Sequence, residues 1–307
     1  MRASIGVSLG LLALIGLSLT SLAEAQTTEA SPVFSIGYNA SRLVMQNVSY
    51  SDGTSPLRGF LAYDNSSTAE RPVVVIFPDY DGIGPYEIWR AKLFATLGYV
   101  AFVGDIFTQN IVQGPSIPVA MRSMLTQIYS RNVPLWNSRM KAALDIAVEQ
   151  PYADADRVAA VGYCFGGGGV INLMRTYPNV TDGLLGVVGY HPSISIAPIE
   201  PNNPIRTLMF YGFDDSASLA TRDQFMQSLE AANVTFEFTQ FGKTVHAFTE
   251  PNLIGSSASA STAYNQVADL MSWATTRAFL MDIFGETNVN NPYTYASMEP
   301  LLDLATA

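Results

Sequence analysis

The sequence predicts a doubly wound α/β fold: a mostly parallel sheet with helices on both faces, preceded by an antiparallel hairpin. Three observations carry this. Apolar, β-branched runs such as Pro72–Phe77 lack polar alternation, as expected of central strands covered on both sides. Helical stretches alternate with such runs along most of the chain. Near the start, the turn residues Ser51-Asp52-Gly53 separate two strand-like runs, which marks a hairpin.

The elements follow in order. Leu43–Tyr50 and Leu57–Tyr63 form the hairpin, and Pro72–Phe77 a central strand. Tyr86–Leu97 has helical spacing and stops at Gly98; Tyr99–Val103 is a strand ending at Gly104-Asp105. A mostly helical region covers residues 116–149, interrupted near Pro134. Arg157–Val161 is a short buried strand, and the residues after Gly169 read as a helix. Strands at Gly183–Tyr190, Thr207–Tyr211 and Thr235–Phe241 flank a helix at 217–232, and a helix at 261–284 closes the fold.

The N-terminus reads as an address. Arg2 supplies a positive charge, Leu9–Leu19 an apolar core, and Ala23-Glu24-Ala25 an A-x-A cleavage site before Gln26. Residues 1–25 are therefore expected to be a cleaved signal peptide, which makes the protein secreted or periplasmic. Residues 26–285 form one domain without internal repeats, and 286–307 a loose tail. Roughly 280 residues suffice for one large core. A single cysteine excludes an internal disulfide, so that core must stand without staples.

Formal charge is −10, with no basic patch, which argues against nucleic acid as a partner. No other apolar run approaches the roughly 18 residues of a membrane span. An acidic shell disfavours anionic substrates at long range. A monomer with a small-molecule substrate is expected. Five N-x-[ST] sequons, at Asn39, Asn47, Asn65, Asn179 and Asn233, carry glycans only in a eukaryotic secretory pathway.

The one cysteine, Cys164, lies in Val161-Gly162-Tyr163-Cys164-Phe165-Gly166-Gly167-Gly168-Gly169, between a predicted strand and a predicted helix. This is the G-x-C-x-G form of a nucleophile elbow, where a tight backbone demands small neighbours. The alternative is an inert buried thiol. A hydrolase of this design takes nucleophile, acid and base in chain order from strand ends. The acid falls in Gly212-Phe213-Asp214-Asp215, and His246 follows the last strand. Asp215, three residues after the strand-end glycine, is favoured over Asp214, which would cap the next helix. His191, the other histidine, precedes the acid and is out of order for the base, though it is a candidate to line the pocket.

These residues resemble the dienelactone hydrolase family, with its G-x-C-x-G-G elbow and H-[SA]-F histidine. Gln150-Pro151-Tyr152, Arg157-Val158 and Gly162–Gly167 carry the likeness, which runs from about Val48 to Phe284. The resemblance implies an α/β-hydrolase fold and a hydrolase of small esters or lactones without metal or cofactor. It implies Cys164 as nucleophile, His246 as base and Asp215 as its orienter. It puts Asp79 at the place of an acid that activates the thiol, with one methylene less reach than the family's glutamate. The oxyanion hole would be the backbone N–H groups of Phe165 and Tyr80.

The family also holds substrate carboxylates with arginines. Here Glu250 stands where one is expected, and Arg122 aligns with the other, an exposed helix arginine being the alternative. Without the clamp, neutral or larger esters, lactones or thioesters are expected as substrates. Tyr80, Trp89, Trp136 and His191 are candidates for an aromatic wall, with core packing the alternative for the tryptophans. Two other functions stay open: a non-catalytic or redox protein whose odd thiol pairs with another chain, and an acyltransferase. Non-reducing mass measurement tests the first, and product analysis with added alcohols the second.

Overall fold

The computed structural model describes residues 42–176 and 183–286. The expected signal peptide, nearly all of the lead-in and the tail from 287 onward lie outside the described residues, as do Asn39 and Asn179. Asn47, Asn65 and Asn233 are exposed. No helix among the described residues is long and apolar enough to cross a membrane.

Among the described residues, eight strands form one sheet in the order β1-β2-β4-β3-β5-β6-β7-β8. The hairpin strands β1 (Leu43–Ser51) and β2 (Pro56–Asp64) pair antiparallel, and β2 joins β4 (Val100–Val103) antiparallel. From there β3 (Arg71–Phe77), β5 (Ala153–Tyr163), β6 (Leu184–Tyr190), β7 (Arg206–Gly212) and β8 (Phe236–Phe241) run parallel to β4 and to one another.

Strand β3 shows why the apolar runs do not alternate. Val73, Val75 and Phe77 point into one core, with residues of α3 (Val133–Val148), α4 (Phe165–Arg175) and α5 (Leu219–Ala231). Val74 and Ile76 point into the other, with α1 (Pro85–Thr96) and α6 (Gln266–Ile283). Both faces need apolar residues, and each fully buried side chain of this kind contributes about 1.5–3 kcal/mol.

Pro134 lies in the first turn of α3 and starts that helix rather than interrupting one. The amide of Leu135 donates to the Asn132 side chain, and α2 (Val119–Arg131) ends one residue before that cap. The helix expected after Gly169 begins instead at Phe165, immediately after the cysteine. Its four glycines let neighbouring backbone approach closely: a Cβ on Gly166 would lie 2.2 Å from the Phe77 carbonyl oxygen. Packing here overrides glycine's poor helix propensity.

The path of the chain locates the site. From β3 it crosses to β4 on one side, then returns over α2 and α3 to β5 on the other side of β3. The loops leaving β3 and β5 therefore separate, opening a crevice at the C-terminal ends of these strands.

Candidate active site

Cys164 occupies the turn between β5 and α4 with φ 50° and ψ −108°, a left-handed conformation that costs a residue other than glycine. The surroundings hold it there. Its amide donates to the Tyr190 carbonyl (3.0 Å), and its own carbonyl accepts from the Gly168 and Ser193 amides, both at 3.1 Å. A Cβ on Gly162 would sit 2.1 Å from the Gly166 oxygen, so the sharp bend requires glycine at that position. The bend leaves the thiol partly exposed on the floor of a cavity of about 630 Å³.

His246 arrives on the loop after β8. Its Nε2 lies 2.9 Å from Cys164 Sγ and its Nδ1 2.8 Å from Asp215 Oδ2. Asp215 is buried and fixed by the chain after β7, where its Oδ1 accepts from the Ser216 amide and its carbonyl accepts from Arg222. Burial alone would lower the imidazole's pKa, but the Cys164 thiolate and the Asp215 carboxylate outweigh it and push His246 up to about 11. The ring is favoured in its protonated, imidazolium form.

Asp214 is exposed and caps nothing. Its amide donates to the Thr244 carbonyl, while Ser218 Oγ accepts from the Thr221 amide and caps α5. Position relative to the glycine decides between the two aspartates: Gly212, whose carbonyl accepts from the Asp215 amide, turns only the second carboxylate inward.

The amide of Gly166 donates to the Pro78 carbonyl at 2.9 Å, which ties the start of α4 to the loop after β3. Tyr80 from that loop, Cys164 and Phe165 all line the cavity. The Phe165 ring turns away and stacks on Trp136 at 4.1 Å and 7°.

Several expectations need correction. His191 does not line the cavity: it is fully buried behind His246, with ring centroids 4.9 Å apart. Its Nε2 meets Thr249 Oγ1 at 2.9 Å, and burial followed by the charge of His246 holds its pKa well below the usual value, so it stays neutral. The reason is the turn after β6, where a positive φ points the ring inward. Trp89 and Trp136 are core residues, leaving Tyr80 as the cavity's member of the expected aromatic wall.

Arg122 is neither exposed nor free. It lines the cavity with its guanidinium engaged: Nη1 lies 3.3 Å from Asp81 Oδ2 and donates to Tyr80 Oη (3.1 Å), and Nε donates to the Ile117 carbonyl (2.7 Å).

Asp79 is buried and does more than turn the chain, but its bonds do not reach the thiol. Its Oδ1 accepts from the Asp81 amide at 2.9 Å, and its carboxyl faces Glu250 closely enough for the two to share a proton. Burial, reinforced by Glu250, pushes Asp79 up to about 8; burial, reinforced by Asp79, does the same to Asp81. Glu87, a fourth acid, is buried with its Oε2 accepting from the Gly84 amide. Asp79, Asp81 and Glu87 bring carboxylate oxygens within 4.8 Å of one another, a spacing that metal ligands also show.

The sequence reading missed this cluster. Its signal was present: Asp79 and Asp81 bracket Tyr80 just past a strand end, with Glu87 in the first turn of the next helix.

A family model described as the dienelactone hydrolase family matches residues 57–284. The chain belongs to the dienelactone hydrolase family. A solved dienelactone hydrolase-like promiscuous phosphotriesterase from metagenomic libraries is 29% identical, with a TM-score of 0.73, covering 80% of this chain and 100% of that one. The dienelactone hydrolase from Anabaena variabilis shares the fold at 20% identity and a TM-score of 0.52, covering 76% of this chain and 96% of that one. An uncharacterized protein of Caenorhabditis elegans is 31% identical over 153 residues, which is 48% of this chain and 92% of that protein. The dienelactone hydrolase family thus supplies the α/β-hydrolase frame in which the cysteine, histidine and aspartate meet.

Proposed function

We propose that this dienelactone hydrolase-family protein cleaves small carboxylic esters or lactones through a cysteine acyl-enzyme. The observation that carries the reading is one line of contacts at the cavity floor: Cys164 Sγ to His246 Nε2 at 2.9 Å, and His246 Nδ1 to Asp215 at 2.8 Å.

In this reading the Cys164 thiolate attacks the ester carbonyl, and the carbonyl π electrons move onto oxygen. The amides of Phe165 and Tyr80 stabilise that oxyanion. As the tetrahedral intermediate collapses, the C–O bond breaks and the His246 imidazolium gives its proton to the leaving alkoxide. Neutral His246 then takes a proton from water, which attacks the thioester and releases the acid. Asp215 holds the imidazole in the tautomer and orientation both steps need. Asp79 has no step here: a protonated carboxyl bound to its neighbours does not deprotonate a thiol. His191 and Thr249 support the base from behind.

The cavity favours uncharged acyl groups beside the thiol. Arg122 is already paired, and Glu250 occupies the position where the resemblance led us to expect a carboxylate-binding arginine. The relative described as a promiscuous phosphotriesterase fits this reading, since a phosphotriester centre carries no charge. Export of the mature chain from near Gln26 is part of the proposal, supported by Leu9–Leu19 and Ala23-Glu24-Ala25. N-terminal sequencing of protein recovered from culture medium or periplasm tests it.

The catalytic reading is tested with p-nitrophenyl acetate. Cys164→Ala is expected to abolish turnover while the circular-dichroism spectrum stays that of wild type. Equal rates in the two proteins would refute it.

A further inference from the structure

The cavity that holds the thiol is lined by three acids and one arginine. Asp79, Asp81 and Glu250 line it, and its arginine, Arg122, is consumed by Asp81, Tyr80 and the carbonyl of Ile117. Glu87 stands behind them with its Oε1 buried and without a hydrogen-bond partner, inside the carboxylate group it forms with Asp79 and Asp81. Four carboxyls thus share one arginine and a few backbone amides. Compensation comes from protons held between them, or from a cation that takes the protons' place.

We propose that the cavity selects esters bearing a positively charged ammonium group, seated against Glu250 and Asp79 while the ester carbonyl lies over Cys164. This deepens the esterase reading by naming its substrate class, and rests on it for turnover though not for binding. An ammonium ion is compact, fits a cavity of about 630 Å³ beside an acyl group, and needs no new donor from the protein. A carboxylate at the same place meets these acids, while Arg122 is engaged by Asp81 and His246 is held between Cys164 and Asp215, so anionic esters are disfavoured.

The geometry gives the selection a pH signature. The groups facing the ammonium position are Asp79, Tyr80 and Asp81 after β3, Arg122 on α2, Cys164 at the elbow, and His246 and Glu250 after β8. Glu87 and Arg90 of α1 lie behind them. Burial raises Glu250, and it raises Asp79 and Asp81 to about 8, so those two aspartates are largely protonated at pH 6. Cation binding then displaces protons and tightens as pH rises.

The test is calorimetric titration of wild-type protein with choline and with its uncharged isostere neohexyl alcohol, at pH 6 and pH 8.5. Choline is expected to bind at least about tenfold tighter than the isostere at pH 8.5. The gap should shrink at pH 6 and shrink at both pH values in Glu250→Gln. Equal affinity for the two alcohols at pH 8.5, or a preference unchanged in Glu250→Gln, would overturn the proposal.

Rates with acetylcholine and neohexyl acetate separate this claim from the catalytic one. Choline preference in binding without hydrolysis of either ester would support the cation site and sink the esterase reading. Hydrolysis of both esters at equal kcat/KM would sink the cation site alone.

Discussion

Cys164 Sγ and His246 Nε2 stand 2.9 Å apart although 82 residues separate them in sequence. Three structural decisions make that distance: the strained elbow that lifts the thiol, the parallel order β5-β6-β7-β8 that carries the chain to His246, and the buried aspartate that aims the ring. Each is open to experiment.

Asp215 orients a ring and touches no substrate. Asp215→Asn should therefore lower kcat about a hundredfold or more, with KM nearly unchanged, because the amide favours the wrong imidazole tautomer. The same change at the exposed Asp214 should leave both constants within about twofold. Steady-state kinetics on the two variants checks the assignment, and similar losses in both would contradict it.

The carboxyl cluster gives the protein an unusual pH–stability curve. Asp79 and Asp81 have folded-state pKa values raised to about 8, above those of the unfolded chain. The folded state therefore holds protons that the unfolded state has released between about pH 4 and 8. Their stabilising contribution is complete below the unfolded value and is lost as pH rises through about 8. Each such group costs up to about 1.4 kcal/mol per pH unit across that window. The melting temperature should fall from pH 5.5 to pH 9, and Asp79→Asn should flatten the slope. Calorimetry over that range provides the check; a rising melting temperature would contradict it.

Arg90 and Asp269 form a wholly buried pair at 2.6 Å, and Arg90 Nη2 also donates to the Thr249 carbonyl at 2.8 Å, on the loop that carries His246. Arg90→Met strands a buried carboxylate and should cost about 3–5 kcal/mol of stability in urea denaturation. Adding Asp269→Leu should return much of it, since no charge is then left unpaired. Losses that simply add would argue against the pair.

Most of the frame was legible in the sequence. Pro72–Phe77 announced a strand covered on both faces, and the spacing of Gly162, Cys164 and Gly166 announced the elbow, because those features depend on local sterics and on a period of two. What escaped depends on long-range partners. Nothing in Gly166–Gly169 tells that the backbone of β3 will press on the helix there and make glycine a requirement. For Arg122 both a substrate-binding role and an exposed helix position stay open in the sequence, because its partner Asp81 lies 41 positions away in the loop after β3. His191 was expected at the cavity because a strand end is where site residues gather, but its inward turn is set by backbone conformation rather than residue type. Of the acids, Asp79 and Glu250 each carry an expectation from the sequence, whereas the grouping of Asp79 with Asp81 and Glu87 appears only on folding.

The most direct test of the account is mass spectrometry of the protein quenched with acid during steady-state turnover of an activated ester. The account predicts an acyl adduct on the peptide containing Cys164, formed and lost at rates matching turnover, and absent from Cys164→Ala. Sustained hydrolysis with no adduct on that peptide, or an adduct on another residue that matches turnover, would contradict it.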